Sequence, residues 1–189
     1  VIAAVVDDGY PVFVDRVDAL GAVRFYAPLG VRELPHTSAA GKAILATMPD
    51  ADVARIAKEC GLPQRTRKTI ADLHTLEVDL KVARRRGYAI DDEEDVEGVF
   101  CVAAAFFDHT GQCAGALSAT GIKLDLPGWR VEELGHAVRA NADKVTKLLG
   151  GTTPTWEAGM RSLVARRPGD IGLDDRPAPS ASPGEVLVR

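Results

Sequence analysis

The sequence predicts an α+β domain with a mainly antiparallel sheet flanked by helices, and three observations carry the prediction. Two pairs of β-rich runs are each joined by a turn-forming stretch, Asp7-Asp8-Gly9 in the first pair and Asp108-His109-Thr110-Gly111 in the second. Between the pairs lies an insert whose apolar residues recur at helical spacing. A further helical stretch closes the domain at Gly150-Gly151. Strands grouped around a helical insert bury their apolar faces best as stacked layers of sheet and helix.

The elements follow in order. Residues 1–6 and 10–17 read as strands, and 23–26 as a weaker third. Ser38 then opens an Ala-rich segment to Met48, a helix capped by a hydroxyl. Pro49-Asp50 closes it and caps a second helix over 51–60, which stops at Gly61. Thr69 is expected to cap a third helix running to Arg86 and stopping at Gly87, with Ile70, Leu73, Leu76, Leu80 and Val82 on its packed side. A short strand over 88–90 leads into the acidic run Asp91 to Asp95, which reads as a solvated loop rather than a metal or ligand site. Two apolar runs, 99–107 and 112–120, form the second hairpin. After Pro127-Gly128 a final helix spans about 131–149.

The faces of that hairpin follow from alternation. With Phe107 opposite Gln112, Cys101 faces Ser118 and Val99 faces Thr120. One side then carries Val99, Cys101, Ala103, Ala105, Ala114, Ala116, Ser118 and Thr120. Such undersized side chains leave either room for a small polar ligand, or a surface that a closely packed helix fills. The start of the Ala-rich helix, Ser38-Ala39-Ala40-Gly41, is equally open in its reading. Its small residues admit a ligand to unpaired backbone N–H groups, which favours an anion, yet an ordinary capped helix has the same sequence. Gly41-Lys42 is no nucleotide-binding loop, because His36 and Ala43 stand where such a loop needs Gly and a hydroxyl.

Composition excludes several functions. At 46% apolar and 26% charged residues with a net charge of −4, the 189 residues suit one soluble core and oppose direct nucleic-acid binding. Of the cation-dense stretches, Arg84-Arg85-Arg86 suits a helix C-terminus, and Arg65-Thr66-Arg67-Lys68 reads as a solvated loop. There is no membrane-length apolar run and no leader pattern, so a cytoplasmic location is expected. Cys60, Cys101 and Cys113 fit neither a disulfide framework nor a zinc ribbon, and His36, His74, His109 and His136 lack ligand spacing. No nucleophile with its base is present, so no enzyme, no metal and no cofactor is expected. The abrupt start on Val1-Ile2-Ala3-Ala4-Val5-Val6 suggests that something precedes it.

Three blocks resemble the effector domain of the IclR family of bacterial regulators: Leu34 to Ala46, then Gly87 to Glu94 with Gly98 to Ala104, then Ala116 to Gly121. Their order and spacing agree with the family over about 1–150. The resemblance implies a GAF-like fold with a pocket for small metabolites, often carboxylates or aromatic acids, and assembly as a homodimer or homotetramer. It places Ala39, Ala40, Asp91, Val99, Cys101, Ser118 and Thr120 around that pocket, with Ser38 and Gly41 at the helix start. Thr120 departs from the family's usual Ser, and Ser38 from its commoner Thr. Cys101 then packs or senses oxidation. The family joins a winged helix-turn-helix to this domain, so DNA binding is expected only through a part outside these residues. A dimerisation module without ligand and a GAF-like hydrolase are the rival readings.

From 151 the composition shifts to Pro and Ser, as in a linker or loosely docked tail. Residues 160–189 nevertheless resemble the start of a medium-chain zinc-dependent alcohol dehydrogenase, stopping before any zinc ligand. That resemblance implies a fusion, or a coding region that runs into a neighbouring dehydrogenase gene, and no dehydrogenase activity of these residues.

Overall fold

The computed structural model describes residues 1–20, 25, 27–123 and 126–154, and the backbone of 161–167 and 170–175. Two compact units divide at Pro154 and Thr155. The second contains an antiparallel hairpin of its own, described below. The first holds a five-stranded sheet with helices on both faces.

Strand β1 (Ile2–Asp7) turns back into β2 (Tyr10–Arg16). Asp8 and Gly9 both adopt positive φ, 49° and 83°, which matches the twist of a two-residue hairpin. Helix α1 (Ala39–Leu45) starts at Ser38, whose side chain accepts the Gly41 N–H. Helix α2 spans Asp50–Cys60, preceded by Pro49 without a side-chain cap, so Asp50 lies inside the helix rather than capping it. Helix α3 (Leu73–Arg86) begins at Asp72, not at the expected Thr69. Asp72 accepts the Thr75 N–H, while Thr69 accepts from Arg65 and Thr66 N–H and donates to Glu94 O, so its hydroxyl ties a loop together. Left-handed glycines end both helices, Gly61 at φ 71° and Gly87 at φ 81°.

Strands β3 (Ala89–Asp92), β4 (Val99–Phe107) and β5 (Cys113–Ile122) complete the sheet in the order β2-β1-β5-β4-β3, antiparallel throughout. Helix α4 (Gly128–Leu148) opens three residues before its expected start. The third strand expected over 23–26 lies outside the described residues, apart from Phe25, which is in no strand. Arg84 bonds Ala46 O and Met48 O and Arg86 bonds Tyr88 O, so these two cations of the run at the end of α3 are structural, as expected.

The β4–β5 register differs from the expected one. Cys101 pairs with Thr120 and Ala103 with Ser118, two residues along from the expected pairing, one because Phe107 meets Cys113 rather than Gln112 and one because of a bulge between Phe106 and Phe107. A two-residue shift preserves faces, so Val99, Cys101, Ala103, Ser118 and Thr120 still share a side. The bulge beside Phe107 overturns one assignment. Ala114 is the extra residue there and packs against Phe106 and α4, on the other face.

The sheet therefore separates two cores. On one face Ala4, Ala103 and Ala116 pack under Ile44, Leu45, Leu76 and Leu80 of the helical insert. On the other, Phe100, Val102, Ala104 and Phe106 meet α4 through Ala142, Leu134 and Val138. Gly135 lets α4 close on the sheet, since a Cβ there would stand 2.4 Å from the Tyr88 ring. In the second unit β6 (Arg161–Arg167) pairs antiparallel with β7 (Asp170–Asp175), where composition alone reads as a tail.

Candidate functional site

A chamber of about 300 Å³ lies on the small-residue face, between α1, the strands and the loop after β3. Ser38, Ala39 and Ala40 reach it from the start of α1, Asp91 from β3, Val99 and Cys101 from β4, and Ser118 and Thr120 from β5. Gly41 does not. A Cβ on Gly41 would stand 2.4 Å from Pro35 O, so this glycine serves the close approach of the preceding chain to α1. Ile2, Phe13, Phe25, Ala27 and Val96 supply the apolar wall, and Glu33 and Asp95 add two carboxylates.

The polar groups differ in how fully they are used. Ser38 Oγ donates to Leu34 O and accepts from Gly41 N, both at 3.1 Å, so its hydroxyl is committed to the cap. Thr120 Oγ1 accepts the Cys101 thiol at 3.3 Å and keeps its own proton to donate. Ser118 is 4% exposed and lines the chamber, with no hydrogen bond from its hydroxyl among the described residues. Burial and the neighbouring Asp91 charge push the Cys101 thiol up to about 12, so it is a thiol and not a thiolate.

Asp91 Oδ1 accepts the N–H of Glu94 at 2.7 Å and of Asp95 at 3.4 Å. This turn places Glu93 at φ 63° and folds the acidic run inward. The run is accordingly not a solvated loop. Glu94 is buried and takes Lys42 Nζ on both oxygens, at 2.6 and 2.7 Å. Asp79 Oδ2 lies 3.0 Å from the same Nζ, as an ionic contact rather than a directed hydrogen bond. The Arg65-to-Lys68 stretch keeps Arg65, Arg67 and Lys68 exposed, as expected of a solvated loop, while Thr66 Oγ1 donates to Glu93 O at 2.7 Å, Lys68 pairs with Glu93, and Arg65 Nε lies 3.4 Å from Asp95.

Helical and strand periodicity give no warning of Lys42. The available signal was a lone cation inside Ala-Ala-Gly-Lys-Ala-Ile-Leu, an apolar helix where a buried charge demands a partner. His36 is also fully buried, its Nε2 bonded to Pro63 O at 3.1 Å, and burial lowers its pKa. Among the described residues no cluster of three or more His, Cys, Asp or Glu is arranged to hold a metal, and no helix is long and apolar enough to cross a membrane.

Residues 2–147 match the family described as bacterial transcriptional regulator IclR C-terminal. The chain is 37% identical over 139 residues to the HTH-type transcriptional repressor AllR of Escherichia coli K12, covering 74% of the chain and 51% of that protein. It is 33% identical over 150 residues to the HTH-type transcriptional regulator BhcR of Paracoccus denitrificans, covering 79% and 53%. The chain thus spans about half the length of the curated relatives it matches. Among solved structures, the Thermotoga maritima IclR superposes with a TM-score of 0.74 at 28% identity, over 79% of this chain and 60% of that one. A PobR inducer-binding domain from Acinetobacter, solved with 3-hydroxybenzoic acid, shares the fold with a TM-score of 0.68 at 23% identity, over 78% and 87%. These relatives are transcriptional regulators, not enzymes.

Proposed function

The chain belongs to the IclR C-terminal family of bacterial transcriptional regulators, and from that premise we propose that residues 1–150 form its effector-sensing domain. A small metabolite occupies the chamber beside β4 and β5. The observation that carries this reading is a chamber of about 300 Å³ lined by Ser118 and Thr120 beside the start of α1. That volume is at the small end for ligand sites, roughly 300–1,000 Å³, and suits a compact molecule. Ser118 and Thr120 donate to it, and Ala39 and Ala40, whose first-turn N–H groups have no partner within the helix, line the same space. A small carboxylate satisfies all of these donors. Occupancy then favours one arrangement of a homodimer or homotetramer over another, and so sets the spacing of winged helix-turn-helix heads in the full-length cytoplasmic protein.

The test is calorimetric titration of the purified chain with small carboxylates. One saturable site per chain supports the sensor, and the absence of saturable heat throughout the panel would leave a dimerisation module. For residues 151–189 the reading is a linker and the opening of a fused dehydrogenase. Its support is the resemblance of 160–189 together with the separate hairpin β6–β7. A native transcript ending near Gly151 would contradict it.

A further inference from the structure

A carboxylate entering this chamber meets negative charge. Glu33, Asp91 and Asp95 all line it, and among the described residues no Lys, Arg or His does. Asp91 is the most enclosed of the three, 3% exposed. Every charged or titratable group packed against it can be named. Lys42 approaches from α1, but its ammonium is held by Glu94 and Asp79. Glu94 and Asp95 follow on the loop and give Asp91 their backbone N–H groups, both to Oδ1, while the Asp95 charge adds to the burial that favours the protonated Asp91. From β4 comes the Cys101 thiol, which stays protonated. With Oδ1 taken by these two N–H groups and the Cys101 thiol within hydrogen-bonding reach of the carboxyl, Asp91 presents the rest of its carboxylate to the chamber it lines. Asp95 is offset by Thr37 at 3.0 Å and by Arg65 at its outer side.

Two carboxylates sharing an enclosed site do not both remain ionised; one takes a proton and donates it to the other. We propose that the chamber binds its carboxylate effector together with one proton, shared between the effector and Asp91, and so selects small monocarboxylic acids over dianions. This rests on the effector-sensing reading above and specifies its ligand chemistry. In the empty chamber burial pushes the Asp91 carboxyl up to about 6, still below neutral pH, so the proton is drawn from solvent on binding. The balance is effector carboxylate plus Asp91 carboxylate plus H⁺ giving one hydrogen-bonded acid–carboxylate pair. Glu33, raised by burial and by Asp95, resists a second negative charge in the same space.

The experiment is calorimetry on the full chain with monocarboxylates of two to seven carbons, their primary amides and succinate, from pH 6 to 8.5. Each titration is run in two buffers of different ionisation enthalpy. The expected result is a monocarboxylate Kd that rises about tenfold per pH unit above 6, with about one proton taken up, and succinate weaker by at least tenfold. Asp91→Asn, whose amide oxygen still accepts the two N–H groups, should make Kd independent of pH. Should that variant fail to fold, the wild-type proton count in paired buffers decides. A pH-independent Kd with equal heats in both buffers, an unchanged pH dependence in a folded Asp91→Asn, or binding of amides alone overturns the proton coupling and leaves the sensor reading standing. No saturable heat with any compound sinks both.

Discussion

Lys42 Nζ, on a side chain with no solvent exposure, lies 2.6 and 2.7 Å from the two carboxylate oxygens of Glu94. The pair ties the middle of α1 to the loop that carries Asp91 and Asp95. This buried ion pair, with the Thr37–Asp95 hydrogen bond beside it, holds two walls of the chamber to one another.

Lys42→Met should destabilise the domain by about 3–5 kcal/mol at pH 8, because Glu94 is left buried without a counter-charge. Replacing both partners, Lys42→Met with Glu94→Leu, should recover most of that loss. Urea denaturation of the three proteins checks both statements, and additive losses in the double variant would contradict them.

Stability should fall as pH rises from about 4 to about 7. Burial raises Asp91 from 3.8 to about 6 and Glu94 from 4.5 to about 7, with Lys42 pulling the latter down only in part. At these two carboxyls the folded state binds more protons than the unfolded chain between those limits, so each one's penalty is absent at low pH and complete above the folded pKa, against a smaller opposite contribution from the single buried His36. Asp91→Asn should raise the urea midpoint at pH 8 and flatten its dependence between about pH 4 and 6, leaving the Glu94 dependence up to about 7. A midpoint that rises with pH in the wild type would show that other groups dominate.

Gly41→Ala should cost about 1–3 kcal/mol, since its Cβ would stand 2.4 Å from Pro35 O and backbone must move. The displaced start of α1 should also weaken effector binding. Thermal denaturation and calorimetry together separate this variant from a neutral helix-propensity change, which would raise Tm.

Ser118→Ala should weaken effector binding by about 0.5–1.5 kcal/mol, more for a charged partner, and leave stability unchanged. Its hydroxyl makes no hydrogen bond to protein among the described residues. Unchanged affinity would remove Ser118 from the contact.

Much of this arrangement was legible in residue order. Alternation alone places Val99, Cys101, Ser118 and Thr120 on one face, because a strand's period of two survives an error of two in register. The bulge at Ala114 was not legible, since an inserted residue flips faces without any change of composition. Capping chemistry identified Ser38 but chose Thr69 over Asp72, as both residue types cap helices and only the loop's contact with Glu94 decides between them. The inward turn of the acidic run was hidden for a similar reason. Asp and Glu in sequence resemble solvated residues until Lys42 and the backbone amides around Asp91 are placed beside them.

The central claim is that an effector sits between α1 and the β4–β5 hairpin. Amide chemical-shift mapping of the labelled chain during titration with a bound monocarboxylate tests it directly. Saturating shifts at Ala39, Ala40, Asp91, Cys101, Ser118 and Thr120, with the outer face of α4 unmoved, are the predicted result; saturating shifts that leave those six amides still would contradict it.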